Sequence, residues 1–94
     1  MATGTTLLVR IAGRVQRVGY RAWLERTARD AGLSGWVRNR ADGTVEALLS
    51  GEDADVRRVL ELCHEGPPAA QVTKVDAHPA AAPSSADFVV LPTE

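Results

Sequence analysis

Apolar alternation, helical periodicity and turn signals in the order β-α-β-β-α-β predict an α+β sandwich. Its sheet is antiparallel, two helices cover one face, and a short extra strand follows at the C-terminal end. Three observations carry this expectation. "TTLLVRIAG" places Leu7, Val9 and Ile11 at alternate positions. Two later stretches, from Tyr20 and from Val56, repeat apolar residues every three or four positions. Between them Asp42–Gly43 separates two short strand-like runs.

The first run reads as a strand because its alternation is two-fold and its residues include β-branched ones. In the first helix Tyr20, Trp23, Leu24, Ala28 and Ala31 fall on one face, and Gly32 stops it as the residue just past the C-cap. "SGWVRNR" and "GTVEALL" are the two strand-like runs, and Asp42–Gly43 is the hairpin signal between them. Ser50 and Asp53 have capping-box-like spacing, which predicts a helix start there. Val56, Val59, Leu60 and Cys63 then share a face, and Gly66–Pro67–Pro68 ends the helix. "AQVTKVDAH" continues the sheet, with Val72 and Val75 out of strict alternation; "PAAAPSSAD" is loop, and "FVVL" is the short last strand. This order is that of a ferredoxin-like sandwich, in a single domain spanning residues 1–94.

Composition narrows the chemistry. The single cysteine, Cys63, excludes an intramolecular disulfide and leaves no cysteine set for zinc or an iron–sulfur cluster. No apolar run approaches a membrane span, and "MATGTTLLVRIAG" has no basic segment followed by a long apolar core. The cytoplasm is the simplest location, and a monomer the default. Net charge is −1, but the halves differ: residues 1–40 hold eight arginines and two acids, and residues 41–94 hold three basic and ten acidic residues. Either the halves pair on folding, or the basic half carries a local anion site.

"GRVQRVGYR", residues 13–21, concentrates that positive charge: three arginines, two glycines and no acid, between the first strand and the first helix. Such a junction points unpaired N–H groups outward at the positive end of the helix dipole, a ready anion site. Gly13 and Gly19 let the backbone turn tightly and approach a ligand. Arg21 in the first turn opposes the dipole, a cost that a bound anion reverses, and its planar fork suits phosphate oxygens. On spacing alone, a connector with solvated arginines is the alternative. The second element is Asn39, at a strand end before the hairpin. Its amide either bonds its own turn or orients a water.

The two segments together resemble the acylphosphatase family. Gly13, Val15, Gln16, Val18, Tyr20 and Arg21 match the family's first motif in register, and Gly35, Trp36, Val37, Arg38, Asn39, Gly43, Val45 and Gly51 match the second at every spacing. "GPPAAQV" also looks like the family's segment after the second helix. The resemblance covers nearly the whole chain, and the family's fold is the one expected from the residue pattern. It implies hydrolysis of the carboxyl–phosphate bond of small acyl phosphates, without a cofactor or a metal, by water attacking phosphorus. It implies that Arg21 binds the phosphate together with the backbone N–H groups of Val15, Gln16, Arg17, Val18 and Gly19, and that Asn39 positions the water. A non-catalytic phosphate-binding module is the alternative. The family usually has glycine where this chain has Arg17. If that backbone needs positive φ, arginine costs about 1–2 kcal/mol there; otherwise it adds a second cation to the anion site.

Other residues carry less. HExxH, clustered aspartates near the loop and paired cysteines are all absent from the sequence. His64 and His78 read as surface residues, Cys63 as a small core residue, and Trp23 and Trp36 as packing residues. Asp42 reads as a turn former, and Glu52, Asp53 and Asp55 as helix-dipole partners. RNA recognition shares the element order but needs exposed aromatics on central strands. Aromatic content is 4% and "LLVRIAG" carries none, so neither nucleic acid nor a membrane is an expected partner.

Overall fold

Strand β1 (Gly4–Arg14) runs through the sheet and turns into helix α1 (Tyr20–Asp30); β2 (Ser34–Asn39), β3 (Val45–Glu52), α2 (Asp53–Cys63), β4 (Gln71–Pro79) and β5 (Phe88–Val90) follow. The structure is a computed structural model and describes residues 4–94; the first three residues of the N-terminal reading lie outside them. The strand order is β4-β1-β3-β2-β5. β1 pairs antiparallel with β3 and with β4, and β2 pairs antiparallel with β3. β5 pairs in parallel with β2, Gly35 to Val37 standing opposite Phe88 to Val90. The sheet is therefore mixed. The chain leaves β4 on one edge and joins the opposite edge, so the short last strand runs alongside β2 and not against it. α1 lies over β2 and β5, and α2 over β1 and β3.

The expected faces hold. Tyr20, Leu24 and Ala28 of α1 and Val56, Val59 and Cys63 of α2 are buried against Val9, Ile11, Val37, Val45, Ala47 and Leu49 of the sheet, with Phe88 closing the edge. Full burial of each larger side chain contributes about 1.5–3 kcal/mol, so this seam dominates stability. α1 ends as expected: Gly32 has φ 75°, and the Leu33 and Gly32 N–H groups donate to the Ala28 and Arg29 carbonyls. No helix among the described residues is long and apolar enough to cross a membrane.

Two expectations need correction. Ser50 caps no helix: it is buried in β3 opposite Thr6, and the two hydroxyls share a 2.7 Å hydrogen bond. The ladder holds the chain extended through Glu52, which is the N-cap of α2. Asp53 and Asp55 stand in its first turn, and Asp53 accepts from Thr5. Trp36 lies outside the core. Val37 points to the helices, so its neighbour points to the open sheet face, where the Arg38 guanidinium sits 4.8 Å from the ring centre.

Tyr20 does more than fill space. Its buried hydroxyl donates 2.8 Å to the carbonyl of Cys63, joining the start of α1 to the end of α2. Burial pushes the phenol far above its ordinary pKa and the Cys63 thiol up to about 11, so both stay neutral and the thiol is unreactive at neutral pH. Tyr20→Phe keeps the ring and loses that bond. It should lower unfolding free energy by about 1–2 kcal/mol in urea at an unchanged m-value.

Candidate active site

The junction between β1 and α1 is built so that its backbone donors stay free. The register of β1 against β4 shifts between Ala12 and Gly13, and Gly13 has φ 119°. A Cβ at Gly13 would collide with the Gln71 carbonyl, so the bulge that turns the chain out of the sheet requires glycine. Val15 is then buried and Val18 packs partly against the core. Residues 16–19 bend without forming a hydrogen-bonded turn. Among the described residues no group accepts a hydrogen bond from the N–H groups of Val15 to Gly19. Arg17 at φ 61° and Gly19 at φ 81° are left-handed, and such a run gathers N–H groups into a concave cradle for an anion. Arg17 is the only described non-glycine residue with positive φ, so the left-handed cost expected for it applies.

The loop opens on a cleft of about 300 Å³ lined by Val15, Arg17, Gly19, Tyr20, Arg21, Ala22, Glu25, Asn39 and Val90. Arg21 and Asn39, eighteen residues apart in sequence, thus reach one space. Strand parity explains Asn39: it shares the helix-facing side of β2 with Gly35 and Val37. Neither Arg17 nor Arg21 forms an ion pair with a described residue. The first turn of α1 contains no acid, so its dipole adds to their field. Asn39 Oδ1 is buried and accepts no hydrogen bond from the described protein. An acceptor left this way costs about 1–3 kcal/mol.

Gln16 and Val18 line no part of the cleft. The Gln16 side chain instead reaches the hairpin between β2 and β3. Its Nε2 donates to the carbonyls of Arg40 at 2.8 Å and Thr44 at 2.9 Å. That hairpin is longer than a two-residue turn. Gly43, at φ 93°, donates to the Arg40 carbonyl, while Asp42 accepts from the Thr44 N–H and hydroxyl. Gln16 therefore ties the loop to the strand end that carries Asn39. The resemblance implied only a backbone role for it at the site; the tie spans 24 residues and has no local signal. Ala22, Glu25 and Val90 of the cleft also escaped sequence reasoning, Val90 because it arrives on the parallel edge strand.

Behind Asn39, on the open sheet face, Glu46 is 8% exposed and receives Arg38 Nε at 2.9 Å, Arg10 Nη2 at 3.2 Å and Arg40 Nη1 at 3.5 Å. Burial pushes its carboxyl up. Hydrogen bonds from Arg38 and Arg10 and the nearby Arg38 and Arg40 charges outweigh burial and hold it below the ordinary range. Arg38 also meets Glu94 at 2.8 Å. The arginines on either side of Asn39 are thus neutralised on the far face, and the cleft's arginines are not.

Fold and cleft together define a ferredoxin-like sandwich with an anion-suited cleft at its first strand–helix junction. The chain belongs to the acylphosphatase family: the family profile described as Acylphosphatase matches residues 7–90. It is 53% identical over 88 residues to an acylphosphatase of Rhodospirillum rubrum, covering 94% of this chain and 97% of that one. It is 52% identical over 86 residues to an acylphosphatase of Azoarcus sp., covering 92% and 88%. The solved acylphosphatase structure from Coxiella burnetii superposes with a TM-score of 0.90 at 33% identity, covering 94% of this chain and 93% of that one.

Gln16→Ala should destabilise the protein by about 1–2 kcal/mol, since the Arg40 and Thr44 carbonyls each lose one of two donors. Hydrogen exchange at Ala41 and Gly43 should speed up while the α2 amides keep their protection relative to global stability. Glu46→Gln should lower stability at pH 7 by about 1–3 kcal/mol. The native carboxyl lies below its unfolded value, so its stabilisation is complete above that value and is lost as pH falls through the native one. The gap between the two proteins in thermal melts should therefore narrow below about pH 4.

Proposed function

We propose that this chain hydrolyses small acyl phosphates by in-line attack of water on phosphorus, with Arg21 and the loop N–H groups holding the phosphoryl oxygens and Asn39 holding the water. The observation that carries the roles is Asn39: an unpartnered buried amide oxygen on a residue lining the same cleft as an unpaired guanidinium. A water of the cleft that donates to that oxygen would offset the cost of leaving it bare.

The substrate, R–CO–O–PO₃²⁻, is a mixed anhydride with a good leaving group. No acid is needed to release the carboxylate, and the work is positioning and charge stabilisation. The water oxygen bonds to phosphorus opposite the acyl oxygen. The phosphorus–acyl oxygen bond breaks, and its electron pair leaves on the carboxylate. The water protons end on phosphate oxygens, since an amide is a poor base. The products are a carboxylate and dihydrogen phosphate. Free N–H donors, the dipole of α1 and Arg21 face the oxygens on which charge gathers. All of these roles are filled by the chain's own residues, and the reading takes the enzyme as a cytoplasmic monomer.

A module that only binds phosphate is not favoured at about half identity to acylphosphatases over most of the chain. The deciding experiment is benzoyl-phosphate hydrolysis in EDTA by the wild type, Arg21→Ala and Asn39→Ala. Arg21→Ala should lose at least about 100-fold in kcat/KM and most of its affinity for inorganic phosphate. Asn39→Ala should lose kcat by a similar factor and keep phosphate affinity within a few-fold. Near-normal phosphate binding by Arg21→Ala, or an Asn39→Ala variant altered in KM alone, sinks the respective role.

A further inference from the structure

Arg17 stands in a conformation that glycine would adopt without strain. What arginine adds to that backbone is a cation on a residue that lines the cleft. In a cradle of left-handed and right-handed residues the N–H groups converge on the anion and the side chains splay outward. Accordingly Arg17 is exposed, whereas Arg21 is partly covered. The phosphoryl group of the proposed substrate already has the cradle N–H groups, the dipole and Arg21. The remaining cation belongs to an exposed residue of the same cleft and is free to meet the rest of a bound molecule. The cleft, at about 300 Å³, leaves space beyond a phosphoryl group. Glu25 is the one acid in its lining, and Arg29 holds that carboxylate at 3.4 Å.

We propose that Arg17 reads a second negative charge on the acyl group, so that the enzyme favours acyl phosphates of anionic acids, those bearing a further carboxylate or phosphate. Arg21 anchors the transferred phosphoryl group, and Arg17 pairs with the far end of the molecule. This inference rests on the acyl-phosphate hydrolase reading above and adds to it a substrate class.

The test compares two substrates of the same heavy-atom skeleton: succinyl phosphate, ending in a carboxylate, and 4-methylpentanoyl phosphate, ending in an uncharged isopropyl group. kcat/KM for each is measured with the wild type, Arg17→Gly and Arg17→Lys. The wild type should prefer the charged substrate by about fivefold at low salt, the scale of one exposed ion pair, and added sodium chloride should erode the preference. Arg17→Gly should lose the preference through KM for succinyl phosphate while gaining thermal stability, because the left-handed position is relieved. Arg17→Lys should keep part of it. A preference that survives Arg17→Gly, or its absence in the wild type, overturns the inference and leaves the hydrolase reading intact. An equal loss on both substrates assigns Arg17 to the phosphoryl group and also overturns it. Turnover of neither substrate by the wild type defeats both readings.

Discussion

Everything at the cleft depends on five backbone N–H groups, those of Val15 to Gly19, staying unpaired within an ordered segment. A chain normally gives such donors to a ladder or a helix, or leaves them to water in a mobile loop. Here the order comes from the flanks. Gly13 turns the chain out of the sheet, Val15 and Val18 fix it to the core, and the Tyr20 hydroxyl ties its end to Cys63. Gln16 fastens the middle to the neighbouring hairpin with side-chain bonds, which leave the backbone donors free. Side chains pin the segment so that its main chain can face a ligand, and the rigidity needed to stabilise developing charge is fixed before any ligand binds.

The same pins explain how charge is divided. Of the two readings of the basic first half, pairing with the acidic second half holds for three arginines, and the two that line the cleft are left free for an anion. Arg10, Arg38 and Arg40 meet Asp42, Glu46 or Glu94 on the open sheet face. Arg17 and Arg21 meet no described acid. β2 separates the two sets by alternation: Arg38 turns to Glu46, and Asn39 turns to the cleft. The strand end thus presents a neutral amide to the site while its cationic neighbours are satisfied behind it. The cleft beside Asn39 meets the field of Arg17, Arg21 and the α1 dipole, while Arg38 and Arg40 are paired on the far face.

How far the sequence carried follows from the range of each interaction. β1, α1 and α2 rest on periodicities within a dozen residues, and the helix stops at Gly32 and Gly66 are local conformations, so they were legible. The resemblance supplied Arg21 and Asn39 as a pair, and the fold brings them to one cleft. Ser50 was misread because a local capping pattern lost to a ladder bond with Thr6, 44 residues away. The parallel pairing of β5, the outward turn of Trp36 and the reach of Gln16 are likewise tertiary facts. None alters the local pattern that a sequence displays, and each depends on which strand lies beside which.

Three residues break local rules, and all three line the cleft. Arg17 is left-handed without being glycine, Arg21 opposes the dipole of its own helix, and Asn39 buries an acceptor without a donor. Taken singly, each has a bland account: a tolerated turn, a solvated arginine, a turn amide. Their convergence is harder to treat so, because sequences agree with their folds at most positions and the exceptions gather where a ligand completes the structure. In the proposed reaction an oxyanion at the cradle would resolve the conflict at Arg21, and a water the one at Asn39. Neither relieves Arg17, whose strain lies in its own backbone and would persist with phosphate bound. On the proposed reading, what that residue returns for its strain is a contact beyond the phosphoryl group. Specificity is therefore to be sought at the acyl end of the proposed substrate, beside Arg17.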